Sequence, residues 1–211
     1  MTGVALKNRD SKPLGKPLGR PRGRSSSETR DLIIQAARHC LVEKGYGGTT
    51  LKDVATRAGI TRAAIYPYFA SKPLLYAAVF EEAVSVLADV YQQAIDLDGP
   101  LKDKLRLVLK AAAELHEQQT DGTAILATIP IELRRHPELA ELLVDGQNRF
   151  TALQDTLFQQ AAASGELPSK YGADDLLLTF IGGSMGMALL QYGSGIGSMS
   201  RSTELLLELI D

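Results

Sequence analysis

The sequence predicts an all-α protein. Three observations carry that expectation. Apolar residues recur at helical spacing over most of the chain, no segment alternates apolar and polar residues as a strand would, and the periodic segments are separated by Gly- and Pro-bearing breaks. With 211 residues there is enough chain for a sizeable core in one or two domains.

The elements follow in order. Residues 1–26, including KPLGKPLGRPRGRSSS, are rich in Pro, Gly and basic residues and have no apolar period. They predict a disordered basic arm. A helix is expected over Glu28–Lys44, with Ile33, Ala37, Cys40 and Leu41 on one face. Ser25 and Glu28 have capping-box spacing, and Gly45 stands at the helix's C-terminal end. Thr50 and Asp53 repeat the capping box for a short helix to about Arg57. Gly59 breaks the chain, Thr61 caps a third helix, and Ser71 caps a fourth running to about Ile95. Further helices are expected over roughly 101–118, 124–135, 138–164, 173–192 and 202–210.

Charge is distributed unevenly. Residues 1–70 hold 13 Lys/Arg against 5 Asp/Glu, a net of +8, whereas residues 71–211 carry a net of −10. A basic end on an acidic body points to a polyanionic partner for the first part, or else to a solubilising tail. The single cysteine excludes an internal disulfide framework and suits a reducing cytoplasm. Three scattered histidines and one cysteine do not form metal-ligand spacing, and no phosphate-binding glycine loop is present. No cofactor is expected.

Leu51–Tyr68 reads as two helices and a turn. Ala55 lies where the helices cross, Gly59 occupies the turn, and Val54, Ala58, Ile60 and Ile65 supply a small shared core. This is a helix-turn-helix, whose second helix needs only two turns to reach base edges in the major groove. Pro67 sits at its end, lacking the N–H that would bond to the carbonyl of Ala63. It either terminates this helix or touches DNA.

The run GYGGTTLKDVATRAGITRAAIYPYFASKPLL resembles the DNA-binding domain of the TetR family of bacterial transcriptional regulators. The resemblance spans roughly residues 28–80 and rests on Gly45-Tyr46, Thr49-Thr50, Ala55, Ala58-Gly59, Ile65-Tyr66, Phe69 and Ser71-Lys72. Tyr68 departs from the family's frequent His, and Pro67 is less usual there. The resemblance implies a three-helix DNA-binding domain over residues 27–73 and a helical effector-binding and dimerisation domain over 74–211. It implies a cytoplasmic, non-enzymatic regulator, a repressor released from a near-palindromic operator by a small-molecule effector, or an effector-independent regulator or activator.

Residue by residue, Thr50 at a helix N-terminus is expected on phosphate, as are Lys72 and the Tyr68 hydroxyl. Thr61, Arg62, Ala63 and Tyr66 are expected to face the groove. Arg62 is the long base-reading side chain there, suited to a bidentate contact with guanine or, failing that, to phosphate. In the arm, Arg20, Arg22 and Arg24 separated by slim residues resemble the Arg-Gly-Arg core of AT-hook peptides, with the order of elements altered. They would enter a narrow minor groove or add non-specific charge.

In the second part, Gly182, Gly183 and Gly186 lie in a charge-free run from Leu176 to Ser200. A membrane span, an intramolecular core helix and a dimer helix all fit such a run. The family's late helices form a four-helix dimer bundle, which implies that these glycines, with Leu205, Leu206 and Leu209, meet their symmetry mates. The same glycines fit G-x-S-x-G around Ser184, but no His follows Ser184 and no strand–helix alternation surrounds it, so a serine hydrolase is a remote alternative. The resemblance implies an effector pocket among the middle helices, where His116 and Gln119 on one helix, and Asn148, Phe150 and Gln154 near one face of another, either orient a ligand or are ordinary core and surface residues.

Overall fold

Helix α1 (Ser26–Gly48) starts on the expected capping box. The Ser25 hydroxyl accepts the Glu28 N–H at 3.1 Å, and the Glu28 carboxylate accepts the Ser25 N–H at 2.7 Å. The computed structural model describes residues 25–118, 120–166 and 170–210. The basic arm, with Arg20, Arg22 and Arg24, and Gln119 lie outside the described residues.

Gly45 has φ 67° and ψ 174°, a conformation only glycine adopts cheaply, so α1 kinks there and its last turn leaves in a new direction. Helix α2 (Leu51–Ala58) is capped by Thr50 and ends on Gly59 in the left-handed region. Helix α3 (Lys72–Asp96) is capped by Ser71 and carries Pro73 in its first turn, where no N–H is needed. Then come α4 (Leu101–Gln118), α5 (Thr120–Arg135), a 3-10 turn (Pro137–Leu139) and α6 (Ala140–Ala163). A continuous helical rod follows: α7 (Ala173–Leu176), a π turn (Leu177–Ile181) and α8 (Gly182–Ser194). Helix α9 (Met199–Ile210) closes the described chain, and there is no strand among the described residues.

One expectation needs correction. The third helix is not an α-helix. Thr61 accepts from the Ala64 N–H as foreseen, but it caps a single 3-10 turn, Arg62–Ala64, followed by turns through Tyr68. The bonds run Ala64 to Thr61 (3.0 Å), Ile65 to Arg62 (3.2 Å) and Tyr68 to Ile65 (2.9 Å), all closing over three residues. Pro67 supplies the reason, since an i to i−4 ladder loses its donor at that residue.

The packing joins what the sequence separates. The core of the helix-turn-helix, with Ile33, Ala37, Val54, Ala55, Ile65 and Phe69, runs without a break into Phe80 and Val84 on α3, Ile125 and Ile129 on α5, and Leu139 and Leu143 near the start of α6. Cys40 is buried in the same core. Helix α3 packs chiefly on α6, α1 on α2 and α5, and α4 on α9. At the α3–α6 contact a Cβ on Gly146 would stand 3.0 Å from the Phe80 ring and 2.7 Å from a Glu81 carboxylate oxygen, so glycine sets the approach of these helices.

The π turn, α8 and α9 leave large apolar side chains in solvent. Leu178, Leu190, Leu205 and Leu209 are each more than half exposed, Leu209 at 75%. On α9 the buried positions Met199, Thr203 and Leu207 lie opposite Leu205 and Leu209, so the helix is apolar on two faces and the chain covers only one. Ala173–Ser194 is long and apolar enough to cross a membrane by length and composition alone.

Ala55→Leu in the head and Gly146→Val at the α3–α6 contact should each lower stability by about 1–3 kcal/mol through overpacking. Because the core is continuous, urea unfolding followed by circular dichroism should remain one transition in both variants, not two.

Candidate nucleic-acid interface and ligand cavity

The interface is built on two buried anchors. Ile65 is fully buried and Phe69 nearly so, which pins both ends of the turn segment and leaves Arg62, Ala63, Tyr66 and Pro67 exposed on its outer side. Ala64 and Thr61 are half-buried. Three of the groove-facing expectations therefore share one exposed surface, with Thr61 at its edge as the cap.

Arg62 is braced. Its Nε donates to the Tyr66 hydroxyl at 3.1 Å, and its guanidinium carbon lies 5.8 Å from the Tyr66 ring centroid. The terminal nitrogens remain in solvent on a side chain whose freedom is already reduced, which suits a planar fork to bidentate use.

Thr50 is engaged within its own capping box. Its hydroxyl accepts the Asp53 N–H at 3.2 Å and donates to the Asp53 carboxylate, which also accepts the Thr50 N–H at 2.9 Å. The hydroxyl's one proton is thus taken, and a phosphate here would have to displace that bond. Lys44 holds the other carboxylate oxygen of Asp53 at 2.7 Å. The Lys44 hydrogen bond, followed by those from Thr50, holds the Asp53 carboxyl well below the usual carboxylate range.

Lys72 is folded inward. Its Nζ donates to the Tyr46 carbonyl at 2.8 Å and sits 4.0 Å from the Tyr46 ring centroid. Burial lowers its pKa, and the Glu138 and Glu132 carboxylates oppose that shift. It serves as a clamp on the kink after Gly45 as well as a charge near the interface. Tyr68 is half-buried and packs against the head core. Lys52, which sequence reasoning passed over, is exposed on α2 with no ion pair among the described residues. Its signal was available: a lysine directly after the buried Leu51 lies about 100° round α2 from it, off the buried face of Leu51, Val54, Ala55 and Ala58.

The kink after Gly45 is also where head and body interlock. The Tyr46 ring meets Tyr76 edge-on at 5.1 Å and His136 at 4.8 Å. Above this seam, His39 on α1 pairs with Asp121 on α5, and Arg38 pairs with Glu82 on α3 at 2.6 Å.

Beyond it lies a cavity of about 240 Å³ between α3, α4, α5, α6 and α8. His116, Phe150 and Gln154 line it. Asn148 does not, being exposed on the outer face of α6. One position earlier, Gln147 faces the cavity, and the run Gln147, Phe150, Thr151, Gln154 has the i, i+3, i+4, i+7 spacing of one helix face. Tyr91, Thr123 and Thr151 were not foreseen there. The Gln154 side-chain N–H donates to the Tyr91 hydroxyl oxygen across a long 3.5 Å, and burial pushes the Tyr91 pKa up to about 12, so the phenol keeps its proton. His116 Nδ1 lies 2.6 Å from the Thr123 hydroxyl.

Residues 33–79 match the family model described as bacterial regulatory proteins, tetR family. An HTH-type transcriptional repressor, BepR, from Brucella suis is 27% identical over 187 residues, which cover 81% of this chain and 89% of that protein. Residues 33–79 thus carry the DNA-binding domain of the TetR family. TtgR, an HTH-type transcriptional regulator from Pseudomonas putida, is 37% identical over 93 residues, 43% of this chain and 44% of its own. Among solved structures, the transcriptional regulator FadR from Bacillus subtilis, in complex with stearoyl-CoA, superposes with a TM-score of 0.67 at 22% identity, over 85% of this chain and 96% of that one. With a TetR-family DNA-binding domain, the chain is a DNA-binding transcriptional regulator and not an enzyme. Ser184 fits that conclusion, because its hydroxyl donates to the Ile181 carbonyl at 3.0 Å inside a helix, with no strand-to-helix elbow.

Thr50→Ala should cost about 1 kcal/mol of stability by loss of the cap, measured by urea denaturation at pH 7. The depressed Asp53 pKa adds stability that is fully present above the unfolded value of about 3.9 and is lost as the pH falls through the folded value. Asp53→Asn should accordingly flatten the acid limb of the stability–pH curve below about pH 4.

Proposed function

We propose that the protein is a homodimeric transcriptional repressor of the cytoplasm that leaves a near-palindromic operator when a small molecule fills the cavity. The observation that carries this reading is shared residues. Phe80, Val84 and Ile129 belong at once to the core of the DNA-binding head and to the cavity wall. A ligand that displaces them must move the surface on which the head rests. Coupling then follows if the ligand binds the displaced arrangement more tightly than the DNA-bound one.

On DNA, the exposed outer side of the turn segment enters the major groove, with Arg62 reading bases while Ala63 and Tyr66 pack against them. Thr61 lies at the groove edge. Thr50, Tyr68 and Lys72 approach the backbone, joined by Lys52. Arg20, Arg22 and Arg24 would follow the adjacent minor groove.

Two copies pair through α8 and α9. Leu205 and Leu209 supply the apolar surface with the half-buried Leu206 beside them. A Cβ built on Gly183 or Gly186 meets nothing within 4 Å, and one on Gly182 meets only Leu178, so nothing within the chain demands small residues there. A second helix approaching closely would. The same pairing accounts for the apolar run Ala173–Ser194 without a membrane. Repression has a precedent in BepR, while FasR of Mycolicibacterium smegmatis, 28% identical over 99 residues, is a transcriptional activator. An effector-independent regulator is the alternative, and the cavity argues against it.

Selection of bound duplexes from a random pool should yield inverted half-sites about one helical turn, 34–36 Å, apart. An unpaired half-site would oppose the dimer. Leu205→Glu with Leu209→Glu should sediment as a single chain and bind the selected operator at least about tenfold more weakly, as expected when two half-sites are no longer engaged together. Tyr66→Phe, which removes the brace on Arg62, should cost about 0.5–1.5 kcal/mol of operator affinity.

A further inference from the structure

We infer that the cavity takes an uncharged aromatic molecule of about two rings carrying one hydroxyl-type group, and that Tyr91 and Gln154 receive that group. The inference rests on the effector reading above and specifies its chemistry.

Size comes first. A cavity of about 150 Å³ lined by aliphatic and aromatic side chains accepts benzene. At about 240 Å³ this one has room for a two-ring compound but not for a nucleotide-bearing thioester. Charge comes second. No Asp, Glu, Lys or Arg lines the cavity among the described residues. An ionised group placed there would lose its hydration with no Lys, Arg, Asp or Glu to offset it, which is unfavourable. This separates the chain from its structural relative, whose stearoyl-CoA carries several phosphate charges.

Shape and polarity complete the argument. Phe80, Phe150, Phe158 and Phe180 all line the cavity, four of the five phenylalanines in the chain. Phe150 stands edge-on to Tyr91 with ring centroids 5.3 Å apart, leaving ring faces and edges for a flat guest. Met185 and Met199 add adaptable, polarizable surface.

The polar anchor is incomplete as it stands. Gln154 donates its N–H to the Tyr91 oxygen, so the Tyr91 proton is left without a hydrogen-bond acceptor among the described residues. The 3.5 Å separation is at the limit of a hydrogen bond. A guest hydroxyl beside the pair would accept the Tyr91 proton and donate its own to the Gln154 carbonyl oxygen, satisfying both residues together. A carboxylate could only accept, and no Lys or Arg lines the cavity among the described residues to pair with it.

The test uses the full chain and 6-propionyl-2-(dimethylamino)naphthalene, a neutral fluorescent two-ring probe. Its emission should rise and saturate on titration. 4-Hydroxybiphenyl should displace it, biphenyl-4-carboxylate at least about tenfold less well, and lauroyl-CoA not at all. Tyr91→Phe and Gln154→Leu should each weaken 4-hydroxybiphenyl about fivefold or more while leaving biphenyl itself unchanged, which also shows that the variants are folded. The neutral phenol, not the carboxylate, should release the selected operator. If the carboxylate or the thioester displaces the probe as well as the phenol and releases DNA, the ligand class is wrong while the effector reading survives. Should biphenyl and 4-hydroxybiphenyl bind equally, with both variants silent, the anchor is wrong. If neither probe nor competitor binds and none releases DNA, both this inference and the effector reading fall.

Discussion

Head and body are held by one uninterrupted apolar core, and the rest of the structure depends on that continuity. The helix-turn-helix is too small to bury much surface alone. Its Val54, Ile65 and Phe69 gain their solid backing from α1, and α1 gains its own from α3 and α5. The orientation of the DNA-facing surface is therefore not set by a linker. It is set by side chains such as Ile129, which touch the head on one side and the cavity on the other. Close-packed interiors shift between discrete arrangements instead of deforming smoothly, which lets a modest change at the cavity be felt at the head.

The polar seam around Tyr46 is a second junction between head and body. Gly45 turns the chain so that the Tyr46 ring and carbonyl point into the body, where Tyr76, His136 and Lys72 receive them. A Cβ at Gly45 would approach a Glu132 oxygen to 3.1 Å, and one at Gly47 would approach the His136 ring to 3.3 Å. The small residues of the GYGG run are thus explained by what they face on α5 and beyond it, not by the head alone.

Local signals were the most legible part of the fold. The capping boxes at Ser25 and Thr50, the caps at Thr61 and Ser71 and the left-handed Gly59 depend on neighbours within a few residues, and each stands where the spacing put it. Pro67 was legible as a stop, but the geometry before it was not: Arg62–Ala64 is a 3-10 turn, and an i to i−4 bond returns only beyond Pro67, from Phe69 to Ile65. The cavity was half legible. His116, Phe150 and Gln154 were found from polarity on apolar helices, yet Asn148 was chosen over Gln147 because one residue of helical phase separates inside from outside, and composition cannot fix phase. Tyr91 and Thr123 passed unnoticed because their roles arise between helices. The inward turn of Lys72 likewise depends on a carbonyl 26 residues away.

Cys40 brings a different consequence. It is the chain's single thiol, it lies at 3% exposure inside the common core, and burial pushes its pKa upward, so little thiolate forms and oxidants have no path to it. A disulfide reagent meets no accessible thiol, so the chain offers no cysteine-based redox handle.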